Sequence, residues 1–361
     1  MTESTLLPLR VVDALKELAS VPAVSPEIHA PRPALAASVE AVLERLRTWS
    51  TDFAEGSAPA TVKAVRSDWV QYLAWCEVSR STPLPASVEQ LETFLSAMIE
   101  KGRKRSTVDR YLYTVGLVHL AAGLPSPSKD PDWPVKWKKL IRRLKVTGGH
   151  VRKQAGELDM ASLDVILATL GDSPRDLRDA ALLSLASDTL CRESELVAVR
   201  VEHLYHNRRR DTWALHVPFS KTNQDGATPD YRFVSAETIG RIRVWQTAAN
   251  IREGALFRPT GGRPKSNASR ADDDALHPQE VARIFRRRAR AAGLNQAETI
   301  SGHSARIGSA NDLAEGGATG TQIQHAGGWK TDRMVTYYTR RSGAGTNAMA
   351  QLRSAKRRNE E

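Results

Sequence analysis

Amphipathic helical periodicity, repeated several times before residue 148, is the feature that most constrains this fold. Apolar residues recur at spacings of three and four from Leu35 onward, as they do on one face of a helix. The first such stripe comprises Val39, Val42, Leu43 and Leu46. Short segments rich in proline and serine separate the stripes, and the fourth helix has Ser106 as its candidate N-cap. Residues 36–147 are therefore predicted to form an all-helical domain.

A polar, glycine-containing segment ends this helical series. Residues 148–158 are predicted to be a linker, because the chain around them has no hydrophobic period. Beyond it, helical patterns surround one alternating stretch, Thr212 to Phe219, which predicts a strand paired with a second strand from Tyr231. Residues 159–361 are thus expected to be α-rich with a small antiparallel β-sheet, so the fold class is mainly α. Residues 1–35, rich in Pro, Ala and Ser, are predicted to be a flexible N-terminal arm.

Positive charge is concentrated in one part of the chain. The sequence contains 52 Lys and Arg against 41 Asp and Glu, a formal net charge of +11. Residues 1–100 carry a net charge of −5, whereas residues 101–150 carry +9. Most charge runs are solvated surface, but this density beside an acidic region favours phosphate contacts with DNA. The candidate DNA contacts are Lys101, Arg103, Lys104, Arg105, Lys136, Lys138, Lys139, Arg142 and Arg143.

Cysteine use and hydropathy indicate where the protein acts. Cys76 and Cys191 both lie in apolar helical patterns, which disfavours a secreted disulfide framework and favours a reducing interior. Cys191 precedes Arg192, so a catalytic thiol is the alternative to a small buried hydrophobic residue, the interpretation we favour. The sequence contains no metal-ligand motif, signal peptide or apolar run of membrane-spanning length. We therefore expect a cytoplasmic protein without a metal, a cofactor or a membrane span.

Two short stretches near the C-terminus, with two residues upstream, supply the groups that attack on a phosphodiester requires. His303 and Arg306 are three residues apart and would share one face of a helix. A planar guanidinium matches two phosphate oxygens, and an imidazole, ammonium or indole can add hydrogen bonds or protons. A phenol would serve as the nucleophile. The candidates are Arg192, Lys221, His303, Arg306, Trp329 and either Tyr337 or Tyr338.

Each candidate also has a simpler structural interpretation. Arg192 and Glu195, one helical turn apart, could form an ordinary surface ion pair, in which Glu195 orients the guanidinium. Lys221 could be a solvated hairpin lysine. Trp329 could be a core aromatic residue, but its place after two glycines favours an indole exposed enough to reach an anion. The residues alone leave the choice between the two adjacent tyrosines open.

Three motif blocks resemble those of the tyrosine recombinase (phage integrase) family. They are Ser301 to Ala314, Gln324 to Lys330 and Val335 to Arg340. The resemblance implies that Tyr338, nine residues after the tryptophan, is the nucleophile of site-specific recombination through a 3′-phosphotyrosyl link and a Holliday junction. It implies a phosphate-activating set and an acid for the leaving 5′ oxygen. The set comprises Arg192, supported by Glu195, with His303, Arg306 and Trp329, and the acid is Lys221.

The resemblance also implies an assembly. Residues 36–147 would be a helical core-binding (SAM-like) domain and residues 159–361 the catalytic domain, together forming a C-shaped clamp around duplex DNA. A homotetramer would act on two inverted-repeat sites, linked by a C-terminal helix from about Asn347 to Arg357. Bacterial, phage or plasmid origin and a nucleoid location are expected. Two alternatives remain, a type IB topoisomerase or telomere resolvase and a DNA-binding protein of this fold that no longer cuts. The two-domain size and the motif blocks disfavour the first, and the complete set of candidate catalytic residues disfavours the second.

Overall fold

The computed structural model of the protein describes residues 39–149, 154–219, 230–261 and 274–340, with residues 349, 352, 353 and 356. The predicted arm and the turn of the predicted hairpin, with Lys221, lie outside the described residues. The chain divides into two compact units, Met1–Lys153 and Gln154–Glu361. This division falls within the segment predicted to be a linker. Each unit has its own hydrophobic core.

The first unit is helical throughout its regular structure. Its described helices are α1 (Val39–Gly56), α2 (Pro59–Ser79), α3 (Val88–Glu100), α4 (Arg105–Ala121) and α5 (Trp133–Val146). Their apolar stripes meet in one core, where the rings of Tyr72 and Phe94 pack edge to face with centres 5.0 Å apart. Burying one such side chain stabilises the fold by about 1.5–3 kcal/mol. The mainly α fold predicted from the sequence is confirmed for this unit.

The start of α4 differs from the prediction. The helix begins at Arg105 after Lys104, and no side chain caps it, so the prediction of Ser106 as N-cap is wrong. The Arg105 backbone N–H donates to Gly149 O at 2.9 Å, which fixes the chain one residue before the serine. By contrast, Ser87 caps α3 by accepting a hydrogen bond from the third residue of the helix.

The second unit is α-rich with one small sheet. Its described elements are α6 (Met160–Leu167), α7 (Pro174–Thr189), α8 (Glu193–Val197), β1 (Leu204–Asn207), β2 (Thr212–Val217), β3 (Asp230–Val234), α9 (Ala236–Ala249), α10 (Pro278–Ala291), α11 (Ser304–Glu315), α12 (Gly320–Gly327) and α13 (Asp332–Thr339). Side-chain oxygens of Asp159, Ser173, Ser235 and Thr319 cap helices here. These caps satisfy backbone N–H groups that a helix start leaves unpaired.

The sheet is antiparallel with the strand order β1-β2-β3. It confirms the predicted pair of strands and adds β1, which the sequence pattern did not indicate. Leu215 of β2 lies opposite Arg232 of β3, and both side chains are buried on the same face. Tyr231 and Phe233 lie on the other face and are exposed. The third strand therefore directs an arginine, rather than its aromatic residues, toward the interior.

Residues at the start of the second unit fix the position of α11. Gly156 N donates to Thr299 O at 3.0 Å, and Leu158 N donates to Ser304 O at 3.0 Å. Leu158 is buried, and a Cβ at Gly308 would overlap the Leu158 backbone. The last residues of the predicted linker are therefore packed against the helix that carries the His-x-x-Arg motif.

The described ranges contain neither a membrane-spanning helix nor a cluster of metal ligands. None of the helices there is both long and apolar enough to cross a membrane. That part of the chain also has no group of three or more His, Cys, Asp or Glu residues placed to hold a metal ion. At the C-terminus, Met349 and Leu352 of the predicted terminal helix are exposed, while Asn347, Ala348 and Arg357 lie outside the described residues.

Candidate active site

The C-terminal motif residues meet around a small apolar cluster of α11, α12 and α13. Its buried members are Leu190, Ala310, Ile323, Trp329 and Val335. Gly328 ends α12 with a φ of +58°, a left-handed conformation that favours glycine. Trp329 N then donates to Gln324 O at 3.0 Å. This turn returns the chain so that Trp329 packs onto the cluster.

Arg306, Trp329 and Tyr338 form a continuous stack beside this cluster. Arg306 is 1% exposed, and its guanidinium carbon lies 4.3 Å from the centre of the Trp329 ring. The rings of Trp329 and Tyr338 are stacked, with centres 5.3 Å apart and an interplanar angle of 30°. Tyr338 is half-buried near the end of α13. The structure thus brings the candidate guanidinium, indole and phenol into one group.

The burial of Trp329 differs from the expectation drawn from the sequence. An exposed indole was expected, but the side chain is 5% exposed. A Cβ at Gly327 would overlap the indole ring, so the absence of a side chain there lets the ring fold back against α12. Trp329 therefore supports Arg306 by packing and by a cation–π contact.

Arg306 is held by backbone carbonyl groups rather than by a carboxylate. Its Nη1 donates to Leu190 O, and its Nη2 donates to Gly327 O at 2.8 Å. Its Nε is buried and has no hydrogen-bond partner among the described residues. Burial, together with the nearby Arg192 and Arg232, lowers the pKa of Arg306 to about 10. The group stays charged near neutral pH and has no bonded counter-ion in the described part of the chain, which favours an anionic ligand.

One acceptor of Arg306 has a strained backbone. Leu190 ends α7 with a φ of +49°, in the left-handed region that non-glycine residues rarely adopt. This conformation costs roughly 1–2 kcal/mol and persists where surrounding contacts determine it. The Leu190 side chain is buried, and its carbonyl accepts from Arg306. The strained turn therefore presents a carbonyl to the guanidinium.

Arg192 and Glu195 are joined at the start of the short helix α8. Glu195 Oε2 accepts from Arg192 N at 2.9 Å, and Oε1 accepts from Arg192 Nη1 at 2.5 Å. Glu195 is buried, whereas Arg192 is partly exposed. Because the carboxylate engages both the backbone and the side chain of Arg192, it fixes the direction of the guanidinium.

His303 immediately precedes α11 and is exposed. Surrounding protein atoms still displace part of its solvent, and this desolvation, with the charges of Arg306 and Arg192, lowers the pKa of His303, while Glu193 opposes the effect. The neutral imidazole therefore predominates at neutral pH and can accept a proton. His303, Arg306 and Arg192 are close enough to influence one another electrostatically.

Arg232 is a residue of this site that sequence reasoning missed. It is 1% exposed on β3 and forms an ion pair with Asp230, with Nη2 and Oδ2 at 2.5 Å. Its charge contributes to the lowered pKa of Arg306. The alternation around it, Tyr231-Arg232-Phe233, favours inward aromatic residues and an outward arginine, so the pattern gave no signal for the observed orientation.

The other residues considered for a catalytic role are Tyr337, Cys191 and Lys221. The Tyr337 ring packs against Tyr338, with centres 5.5 Å apart, and beneath Arg340 at 4.9 Å. Cys191 is 2% exposed, and burial raises the pKa of its thiol to about 11, which fits the favoured interpretation as a small buried hydrophobic residue. Lys221 lies outside the described residues.

The basic residues of the first unit that were predicted to contact DNA fall into two groups. The paired group binds acidic side chains and comprises Arg105 with Asp109, Lys136 and Lys139 with Glu92, and Arg143 with Glu100. The unpaired group is exposed and has no ion pair within the described part of the chain. It comprises Lys101, Arg103, Lys104, Lys138 and Arg142. The first group thus forms ion pairs within the unit, whereas the second faces solvent without such pairs in the described part of the chain.

Comparison with known proteins places this site in a family. Residues 157–344 match the phage integrase family, and the chain belongs to that family. It is therefore related to the tyrosine recombinases, which are site-specific recombinase enzymes. Recombinase Cre of Escherichia phage P1 is 27% identical over 305 residues, which cover 81% of this chain and 87% of Cre. An integrase/recombinase XerD homolog of Selenomonas ruminantium is 28% identical over 294 residues, covering 79% and 82% of the two chains.

Solved structures show the same fold. The XerH site-specific recombinase, bound to a palindromic difH substrate in a post-cleavage complex, has a TM-score of 0.62 at 15% identity. That match covers 90% of this chain and 89% of XerH. The Tn1549 transposon integrase, in complex with circular intermediate DNA, has a TM-score of 0.58 at 14% identity and covers 88% and 99%. At these identities the likeness concerns the fold alone.

Proposed function

We propose that this protein is a site-specific DNA recombinase that cleaves and rejoins strands through Tyr338. The Tyr338 oxygen attacks a phosphodiester phosphorus, the bond to the 5′ oxygen breaks, and the leaving oxygen takes up a proton. A 3′-phosphotyrosyl bond and a free 5′-hydroxyl result. The 5′-hydroxyl of a partner strand then attacks that phosphorus and releases Tyr338. Two such exchanges pass through a Holliday junction, and the covalent link conserves the bond energy.

The arrangement of Arg306 beside Tyr338 carries this proposal. Arg306 is buried and stacked with Trp329 and Tyr338, yet among the described residues its donors reach only two carbonyl oxygens. A buried cation without a bonded carboxylate gains most from an approaching anion, because water no longer screens the interaction. A phosphate next to Tyr338 would supply that anion where negative charge develops during attack.

The other residues receive roles from their environments. Glu195 fixes Arg192, which is suited to bind a second non-bridging phosphate oxygen. His303 is mainly neutral near pH 7 because of its lowered pKa, and it is suited to accept the proton of Tyr338. For Lys221 we retain the role that the family resemblance implies, protonation of the leaving 5′ oxygen.

The unpaired cations of the first unit are the proposed DNA contacts. Their exposed side chains can approach phosphates without breaking an ion pair within the described residues. The protein would act in the cytoplasm on DNA carrying inverted-repeat sites, as a homotetramer that joins two such sites. The grip of both units on one duplex, in a C-shaped clamp, remains a prediction from the family resemblance.

Covalent trapping tests the proposed chemistry. A suicide DNA that carries the recombination site and a nick just 3′ of the scissile phosphate releases the short fragment that bears the new 5′-hydroxyl after cleavage, so religation is prevented and the phosphotyrosyl adduct accumulates. We expect wild type to give a denaturation-resistant adduct and Tyr338→Phe to give none while binding the DNA with similar affinity. Tyr337→Phe is the matched control and should form the adduct.

Three outcomes would contradict the proposal. An adduct from Tyr338→Phe but not from Tyr337→Phe would move the nucleophile by one residue. Adduct formation on a site that wild type does not rejoin to a partner strand would favour a topoisomerase-like or resolvase-like activity. Tight, specific binding by wild type without any adduct would favour a DNA-binding protein that does not cleave.

A further inference from the structure

Arg232 lies between two backbone segments that hold Arg306. Its Nη1 donates to Thr189 O at 3.0 Å, at the end of α7. On the other side, a Cβ at Gly328 would overlap Arg232 Nη2, so the guanidinium packs directly against the glycine turn. Asp230 engages the rest of the group, accepting from Nε at 2.9 Å and from Nη2 at 2.5 Å. Arg232 thus joins the end of α7 to the turn after α12.

Two contacts of Arg232, those with Thr189 and Gly328, are each one residue away from an acceptor of Arg306. Thr189 precedes Leu190, whose carbonyl accepts from Arg306 Nη1. Gly328 follows Gly327, whose carbonyl accepts from Arg306 Nη2 at 2.8 Å. The Gly327 carbonyl and the Gly328 Cα lie in one rigid peptide plane, so the contact at Gly328 limits the direction of that carbonyl. The φ and ψ of Leu190, which is held in the left-handed region, are all that separates the Thr189 carbonyl from the Leu190 carbonyl. Arg232 therefore holds both carbonyl groups that orient Arg306.

A purely structural role does not explain an arginine at this position. The inward side of β3 carries Asp230, Arg232 and the apolar Val234, and burying an ion pair such as that of Asp230 and Arg232 is often no more stabilising than burying apolar side chains of similar volume. Arg232 also works against Arg306, because its charge helps to lower the Arg306 pKa. Arg232 thus destabilises the charged form of Arg306 while it restrains the two carbonyl groups that bind Arg306. We therefore assign Arg232 a role in orienting the Arg306 guanidinium.

We propose that Arg232, with its partner Asp230, is a positioning residue that fixes the direction of the Arg306 guanidinium toward the scissile phosphate. Asp230 neutralises Arg232 and is itself occupied, so it is not available to pair with Arg306. The left-handed Leu190 supports the same interpretation, because this strained turn needs contacts on both sides to persist. The inference rests on the proposed cleavage by Tyr338.

The experiment compares two suicide substrates that differ only at the scissile linkage. One carries the natural phosphate, and the other carries a methylphosphonate, in which an uncharged methyl group replaces one non-bridging oxygen. Arg232→Met should slow adduct formation on the phosphate roughly 100-fold, because a small misplacement of a catalytic group has about this effect. On the methylphosphonate, where less negative charge develops, the ratio of wild-type to variant rates should shrink to within about threefold.

Further variants distinguish a misplaced Arg306 from a loss of folded structure as the cause of a reduced rate. Arg232→Lys keeps the charge but lacks the planar fork that joins Asp230 to Thr189, so it should not restore the rate. Asp230→Asn keeps the arginine and the side-chain shape, and it should show the same linkage dependence if Arg232→Met fails to fold. Arg178→Met is the matched control, since Arg178 is also buried and paired with an adjacent aspartate, Asp179. It should lower the melting temperature without a linkage-dependent change in rate.

A double variant provides the second measurement. If Arg232 acts through Arg306, adding Arg232→Met to Arg306→Ala should slow cleavage little beyond Arg306→Ala alone. The inference is overturned if the Arg232 and Asp230 variants cleave at the wild-type rate, are slowed equally on both linkages, or add fully to Arg306→Ala. Absence of any adduct with wild type on a bound site would instead contradict the proposed function itself.

Discussion

The two units of this chain both collect cations but keep them in opposite environments. In the second unit, Arg306 is 1% exposed, bound by carbonyls and shifted to a pKa of about 10. In the first, Lys138 and Arg142 are exposed and have no ion pair within the described part of the chain. Buried charges act strongly at short range, whereas exposed charges are screened beyond about 10 Å at 0.1 M salt. One environment suits transition-state stabilisation and the other suits attachment to a polyanion.

The helix α5 repeats this contrast on a smaller scale. Its inner edge holds Lys136 at 3.0 Å from Glu92 and Arg143 at 2.8 Å from Glu100, both on α3. Its outer face carries Lys138 and Arg142, four residues apart on the same side. The total basic charge of a helix therefore overstates the charge available to a partner.

The largest expected effect of a charge change is at Arg306. Arg306→Ala should reduce the rate of adduct formation by about 10³-fold, because the lost interaction matters most in the transition state. Its affinity for the uncleaved site should change only a few-fold. Single-turnover cleavage and a binding titration on the same DNA would measure both quantities.

The control for this prediction keeps the charge and changes the geometry. Arg306→Lys leaves one of the carbonyls of Leu190 and Gly327 without its donor, so it should recover only a small part of the rate. Thermal unfolding of both variants would show whether the fold is retained. If Arg306→Ala instead greatly weakened DNA binding while the bound DNA was cleaved at the wild-type rate, Arg306 would act in binding, like the exposed cations of the first unit.

A smaller effect, on binding alone, is expected from the outer face of α5. Replacing both Lys138 and Arg142 with alanine should weaken DNA binding and reduce the slope of log affinity against log salt by about two, roughly one for each lost phosphate contact. Cleavage of fully bound DNA should proceed at the wild-type rate. The measurement is a binding titration at several salt concentrations.

The matched control comes from the inner edge of the same helix. Replacing both Lys136 and Arg143 with glutamine removes the same two charges, but Lys136 lies against Glu92 and Arg143 against Glu100. We expect this variant to retain the wild-type salt slope. Equal slopes for the inner and outer variants would show that total charge, rather than the unpaired cations, determines binding.

Sequence periodicity was sufficient for the helical architecture but not for local detail. The stripes in residues 36–147 predicted helices because burial imposes the 3.6-residue period directly on the sequence. The start of α4 was missed because a tertiary contact, Arg105 N to Gly149 O, determines it. β1 was missed because its four residues are too few to show alternation.

In the candidate site, too, some features were predictable from the sequence and others were not. The spacing of Arg192 and Glu195 predicted an ion pair that the structure contains, since three residues form one helical turn. The burial of Trp329 was not predicted, because it depends on how the turn at Gly327 folds back. Arg232 was missed because its importance comes from residues distant in sequence, Thr189 and Gly328. Contacts of that kind leave no local pattern.

The first unit also contains a buried titratable group, His119, which can be compared with the buried Arg306 of the second unit. His119 is fully buried, its Nε2 accepts from Ala86 N at 2.9 Å, and its Nδ1 lies 2.7 Å from Val115 O. Nε2 must therefore lack a proton while Nδ1 donates. Burial lowers the pKa of His119 as it lowers that of Arg306. Arg306 nevertheless remains charged at neutral pH, whereas His119 is held neutral.

The smallest expected effect is a pH dependence of stability from His119. The folded pKa lies below the unfolded value of about 6.5, so the unfolded chain takes up the proton first. The contribution to stability is therefore complete above about pH 6.5 and decreases as the pH falls toward the folded pKa. His119→Gln keeps an acceptor for Ala86 N without a titrating group. The opening free energy of α4 amides, obtained from hydrogen exchange after correction for the intrinsic exchange rate, should therefore depend less on pH between 5 and 7 in this variant. The exposed His325→Gln should retain the wild-type dependence, and an equal dependence in all three proteins would show that the first unit contains no such buried neutral histidine.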